Sequence, residues 1–347
     1  MTSVKSAFAA LAALIISLAP DTVVCTPVKR SQGLVNKFSS LVIFGDSYTD
    51  DGVHSYTPPV AAQSSSEADG GWAWPSYVQQ YSGVNLYDYA VSGAVCDSIT
   101  MQTVRNGIKQ DQMPTFLSDN SFVNKTTGKT ALINHADETV YAIWIGTNDL
   151  GYDGFLTEVQ PRGMPLTYFT DCVYTQLDRL HAIGARNFVL MNVVPLELTP
   201  EFATPQNGGL PVGEYWTWKS DYDANITQSS EKIREYATMV NAVYKYQTPY
   251  SLRIANRYPD SSFAIYDLHS LITDVWENPA NYLNGTVPYN VTSSIHRCGS
   301  PCDSDAVRDS YMWYDDLHPS EQTDRVVARE FVEVVKGQSK WATYWQS

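Results

Sequence analysis

Short apolar runs alternate along this chain with longer stretches in which apolar residues recur every three or four positions. The first run, Leu41-Val42-Ile43-Phe44, is uninterrupted and predicts a strand buried on both faces, stopped by Gly45. Further strands are predicted over residues 84–91, 139–145, 188–194 and 263–267. Helical patterns lie between them: a stretch at 77–81, a helix carrying Met101, Val104 and Ile108, another over 113–117, and one over 168–183 that Gly184 is placed to stop. A long helix is expected over 231–257, broken near Pro249, and a last one over 321–335. This alternation predicts the α/β class, with a mostly parallel sheet covered on both faces in a single domain. Residues 61–71 read as a surface loop. Residues 196–218, rich in Pro and Gly, read as an irregular insertion of the kind that shapes pockets.

Small and polar residues follow the predicted strand ends. Gly45-Asp46-Ser47 follows the first, Ser92-Gly93-Ala94 the second, and Gly146-Thr147-Asn148-Asp149 the third. Ligands of open α/β sheets bind beyond the carboxyl ends of the strands. Ahead of the last helix stands Asp315-Asp316-Leu317-His318, where the first acid can reach back to the imidazole. Singly, these are also ordinary turns and an acidic helix start. Together they supply what acyl transfer needs. Ser47 would attack, His318 would accept its proton, and Asp315 would orient His318. The backbone N–H groups of Ser47 and Gly93 and the side-chain amide of Asn148 would bind the oxyanion. Gly93 suits that place because a residue without a Cβ lets a carbonyl approach the backbone.

Gly45-Asp46-Ser47, Gly93, Gly146-Thr147-Asn148-Asp149 and Asp315-x-x-His318 resemble, in order, the four sequence blocks of the SGNH or GDSL hydrolases. The resemblance spans residues 41–335. It implies a flavodoxin-like three-layer α/β/α sandwich with a five-stranded parallel sheet, and esterase activity without a cofactor. It carries the nucleophile to Ser47, the oxyanion donors to Gly93 and Asn148, and the acid and base to Asp315 and His318. Residues 44–50 with 89–96 look like the fungal acetylesterases of carbohydrate esterase family 16. That likeness implies removal of acetyl groups from hemicellulose oligosaccharides and small acetate esters. Many relatives read Asp-x-Gly-Asn where this chain has Asp50-Asp51-Gly52-Val53-His54. His54 could compete for the base role; read without a partner acid, it is expected to be a surface or pocket residue. The rival readings are a lipase or phospholipase on longer acyl chains and a carbohydrate-binding relative that has lost catalysis.

Charge and leader narrow the partners. The 347 residues carry a net charge of -14, which excludes nucleic acid as a partner. No basic face suits an anionic bilayer either, so stable membrane association is not expected and a monomer is. Lys5 and the apolar run over 7–19 read as a secretory signal peptide, too short for a membrane span. Lys29-Arg30 reads as a dibasic processing site, so 1–30 would be removed and 31–347 would form one esterase domain, secreted and extracellular.

Five cysteines become four once Cys25 leaves with the leader. Cys298 and Cys302, close in sequence, are paired with each other, which leaves Cys96 with Cys172. A metal site is set aside, because no second Cys pair or His pair stands at zinc-like spacing. Sequons at Asn124, Asn225, Asn284 and Asn290 are expected glycosylation sites and fit a fungal secreted enzyme. Nine Trp and 23 Tyr exceed an average domain's share, and such side chains also line sugar sites. Trp72 is read either as a substrate-binding wall over the active site or as a residue packing its loop onto the core.

Overall fold

The computed structural model describes residues 33–63, 70–101, 105–297 and 305–347. The expected leader and the Cys298–Cys302 pair lie outside them. Strands β1 (Ser40–Gly45), β2 (Asn85–Asp88), β3 (Thr139–Trp144), β4 (Asn187–Met191) and β5 (Ser262–Tyr266) are parallel, side by side in the order β2-β1-β3-β4-β5. A separate parallel pair joins β6 (Asn290–Ser294) to β7 (Tyr311–Trp313). β8 (Ala342–Gln346) adds to β5 as an antiparallel edge strand of the main sheet. Five parallel strands were expected; the sixth strand was not.

The helices are α1 (Trp74–Ser82), α2 (Met113–Ser121), α3 (Thr147–Leu150), α4 (Thr167–Ala182), α5 (Lys219–Tyr222), α6 (Gln228–Arg253), α7 (Leu268–Glu277), α8 (Asp305–Arg308) and α9 (Glu321–Val335). Every residue of β1 and β3 is buried, and alternate side chains take opposite faces. On one face Phe44 meets Phe116 of α2 with ring centroids 5.4 Å apart, and Phe116 meets Tyr141 at 6.1 Å. On the other, Trp144 lies 6.2 Å from Trp74 of α1, which lies 4.8 Å from Phe331 of α9. The sheet is therefore the middle of three layers. Burying aromatic side chains of this size stabilises by about 1.5–3 kcal/mol each.

Local chemistry sets several boundaries. Ser320 caps α9 by accepting from the Thr323 amide at 3.2 Å, with Glu321 and Asp324 in the first turn. Gly184 takes a φ of +100° just past α4, which ends the helix there. Pro249 does not break α6 where expected: the helix runs one turn past it to Arg253, forgoing the one ladder bond that the Pro249 nitrogen cannot donate. The helix expected around Met101 and Ile108 is absent from the described part of that stretch. A 3₁₀ turn (Ser98–Thr100) stands there instead, and Val95 bridges to Gly107 before a π turn (Ile108–Gln112) leads into α2.

Successive connections place β2 on one side of β1 and β3 on the other. The crevice beyond the ends of β1 and β3 is thus the topological switch point of the sheet, where such folds hold ligands.

Candidate active site

Ser47 stands one residue past Asp46, on the turn that closes β1. The Asp46 carbonyl accepts from the amides of Thr49 and Asp50 at 3.0 and 3.1 Å, so the chain turns at once. Gln112 clamps the last β1 residue, donating to the Gly45 carbonyl at 2.8 Å and accepting from its amide at 3.1 Å. A side chain at Gly45 would lie 2.6 Å from the Trp144 carbonyl, which is why the strand ends on glycine.

His318 arrives from the other end of the chain. Its Nε2 lies 2.7 Å from Ser47 Oγ, and its Nδ1 lies 2.8 Å from Asp315 Oδ2. All three residues are buried. The Oδ1 atom of Asp315 accepts from the backbone amides of Leu317 and His318 at 2.8 and 2.7 Å, so the acid is fixed by its own loop. Burial pushes the Asp315 carboxyl up, but the bond and charge of His318 and the bond from Tyr215 outweigh it and hold the group below the ordinary range. Tyr48 braces the pairing: its hydroxyl donates to the Leu317 carbonyl at 2.7 Å and its ring lies edge-on to His318.

The two other expected site residues are joined to each other. Gly93 has a φ of +78°, a left-handed conformation that favours glycine. Asn148, on α3 directly beyond β3, donates its side-chain amide to the Ala94 carbonyl at 2.9 Å. Asp149 accepts from the Cys96 amide at 3.0 Å, and Cys96 is disulfide-bonded to Cys172. Gly93 and Asn148 therefore share one fixed frame.

Trp72 is placed elsewhere. Its ring neighbours Tyr77 of α1 and its amide donates to Glu321 of α9; it makes no described contact with Ser47, Asp315 or His318. Among the sequons, Asn225 and Asn284 are exposed, while Asn124 and Asn290 are half-buried and accept backbone amides in local turns.

Two features were not foreseen. His54 does have an acid partner: its Nε2 lies 2.8 Å from Asp50 Oδ1, whereas Asp51, three residues ahead of it, accepts from the Val53 amide at 2.9 Å. This corrects the expectation that it is unpaired. Tyr215, from the 196–218 insertion, donates its hydroxyl to Asp315 Oδ2 at 2.6 Å. No motif marks it; only its place in a Pro- and Gly-rich insertion pointed to a pocket.

Residues 41–331 match the profile of the GDSL-like Lipase/Acylhydrolase family. The chain belongs to this family. This GDSL-family protein is 38% identical over 325 residues to an acetylesterase of Hypocrea jecorina, a match covering 89% of this chain and 92% of the relative. It is 25% identical to an acetylesterase of Thermothelomyces thermophilus, across 86% of this chain and 88% of that one. Among solved structures it is similar to Axe2, an acetylxylan esterase from Geobacillus stearothermophilus, at 14% identity and a TM-score of 0.40, covering 87% of this chain and 96% of that chain. Membership of the family and the Hypocrea relative make this protein a carboxylic ester hydrolase. Among the described residues no helix is long and apolar enough to cross a membrane.

Proposed function

We propose that this protein is a secreted serine esterase that removes acetyl groups from sugars, above all from hemicellulose-derived oligosaccharides. The observation that carries the proposal is the 2.7 Å approach of His318 Nε2 to Ser47 Oγ, across 271 residues of sequence. In this reading Ser47 Oγ attacks the ester carbonyl while His318 takes its proton. The oxyanion forms against the amides of Ser47 and Gly93 and the Asn148 side chain. One hydrogen of the Asn148 amide is directed at Ala94, and the amide carries a second. His318 then gives its proton to the departing sugar hydroxyl, and water repeats the sequence on the acetyl-enzyme. Asp315 stabilises the imidazolium in both halves.

The acetyl preference is supported by the two fungal relatives named acetylesterase. Secretion is supported by the signal-like pattern over residues 7–19 and the disulfide. The test is acetate release from a panel of acetylated xylo- and manno-oligosaccharides, with aryl acetates and long-chain aryl esters beside them. Release is expected from the acetates and none from Ser47→Ala. Preference for chains beyond about eight carbons would replace this reading with a lipase.

A further inference from the structure

The insertion that carries Tyr215 is built around the acid of the triad. Asp315 and Asp316 are adjacent, and each grips the same arm. Asp316, fully buried, accepts from the Glu214 amide at 2.8 Å and is paired with Arg297. Glu201, also buried, accepts from the Tyr215 and Trp216 amides at 3.4 and 2.7 Å. The Glu201 amide in turn donates to the Asp316 carbonyl at 2.7 Å. A side chain at Gly213 would meet Glu201 Oε1 at 2.2 Å, so any larger residue there would displace the carboxylate that holds the arm. Trp216 is buried against Tyr152 and Phe202. Tyr215 itself is 37% exposed, yet its hydroxyl is aimed inward at Asp315 Oδ2.

We propose that Tyr215 is a positioning residue of the esterase: its hydroxyl locks the Asp315 carboxylate and tempers the pull of that carboxylate on His318. The proposal rests on the assignment of Ser47, His318 and Asp315 given above. The Asp315 carboxylate has about four acceptor sites. Leu317 and His318 amides take Oδ1; His318 Nδ1 and Tyr215 take Oδ2. With Tyr215 in place no acceptor site is left over, and the carboxylate has one orientation. Burial, then the Asp315 carboxylate, push the phenol above its ordinary range, so it remains a donor throughout the working pH. The other titratable groups near this pair are Asp46 beside His318 and Glu201 and Glu214 beside Tyr215.

Removing the hydroxyl has two opposed effects on the imidazolium. The freed carboxylate attracts the Nδ1 proton more strongly. The phenol oxygen, 3.3 Å from Nδ1, no longer helps to accept it. The first dominates, because a charge-assisted bond at 2.6 Å outweighs a neutral contact at 3.3 Å. The acid limb of kcat/KM therefore moves up when the hydroxyl is lost.

The experiment compares the wild-type protein, Tyr215→Phe and Ser47→Ala on an aryl acetate from pH 4 to 9. Tyr215→Phe is expected to lower kcat about tenfold, to change KM less than about twofold, and to raise the acid limb by about half a pH unit. Replacing Tyr215 by 3-fluorotyrosine, a stronger donor of nearly the same shape, is expected to lower the acid limb, and it decides the matter if the Phe variant does not fold. Wild-type kcat and an unmoved acid limb in either variant, beside an inert Ser47→Ala, would overturn the role of Tyr215 alone. Activity retained by Ser47→Ala would overturn the triad assignment instead.

Discussion

The carboxylate of Asp50 takes both donors of Ser92: Oδ2 accepts from its amide at 2.7 Å and from its hydroxyl at 2.8 Å. One acid three residues past Ser47 thus ties the turn that carries Ser47 to the loop that carries Gly93. The variant Asp50→Asn keeps the shape but leaves one acceptor oxygen where the carboxylate has two, so either the Ser92 donors or Gly52 and His54 lose their acceptor. We expect kcat on an aryl acetate to fall about tenfold with little change in melting temperature. Unchanged kcat would show that Gly93 is held without Asp50.

Asn148 should show the behaviour of a group that works at the transition state. Asn148→Ala is expected to lower kcat by about 10²–10³ and to leave KM within about threefold. A loss confined to KM would place Asn148 in substrate binding instead.

The Asp50–His54 pair links stability to pH. The bond from Asp50 raises the His54 pKa, while burial of Asp50 is outweighed by its bonds to His54 and Ser92, which lower its pKa. The contribution of His54 is complete below its ordinary value of 6.5 and is lost as pH rises through the raised one. That of Asp50 is complete above 3.8 and is lost as pH falls through its lowered value. His54→Ala should therefore cost more stability at pH 5 than at pH 9, as read by denaturant titration. Its side chain is 46% exposed, so screening by solvent keeps the difference to about 0.5 kcal/mol.

A larger pH effect comes from buried carboxyls. Burial pushes Asp46 up to about 7, Asp51 to about 6 and Glu201 to about 7. Between the ordinary range and those values the native chain binds protons that the unfolded chain has released, so stability falls as pH rises through that window. Lys219, lowered by burial to about 8, reverses the sense only between about 8 and its ordinary 10.5. The melting temperature should drop from pH 5 to pH 7.5. In Asp46→Asn the slope should be shallower by up to about 1.4 kcal/mol per pH unit. A flat profile in the parent protein would contradict the burial of these acids.

Much of this site was readable because its parts are local. Each strand of the parallel sheet is a short apolar run, and each site residue except the acid–base pair follows such a run within a few positions. Asp315 and His318 sit three apart on one loop, so their contact needed no knowledge of the fold. His54 has acids both three and four residues ahead of it, Asp51 and Asp50, and only the fold shows that Asp50 is the one that takes it. The apolar spacing of α7, in Leu268, Leu271, Ile272 and Val275, is likewise plain in the sequence. Tyr215 was a different case. It lies in a stretch without period, and its position depends on buried Glu201 and Asp316, whose partners are distant in sequence. β8 is five residues long, and its pairing with β5 has no local mark.

That last strand also guards the molecule against its own kind. β8 occupies the hydrogen-bonding groups of β5, and Ser347 continues the contact through Ser261. Cutting the chain before Ala342 would leave β5 with a bare row of amides and carbonyls, a template onto which a second molecule could zip. Such a truncated esterase would fail first by clumping in solution.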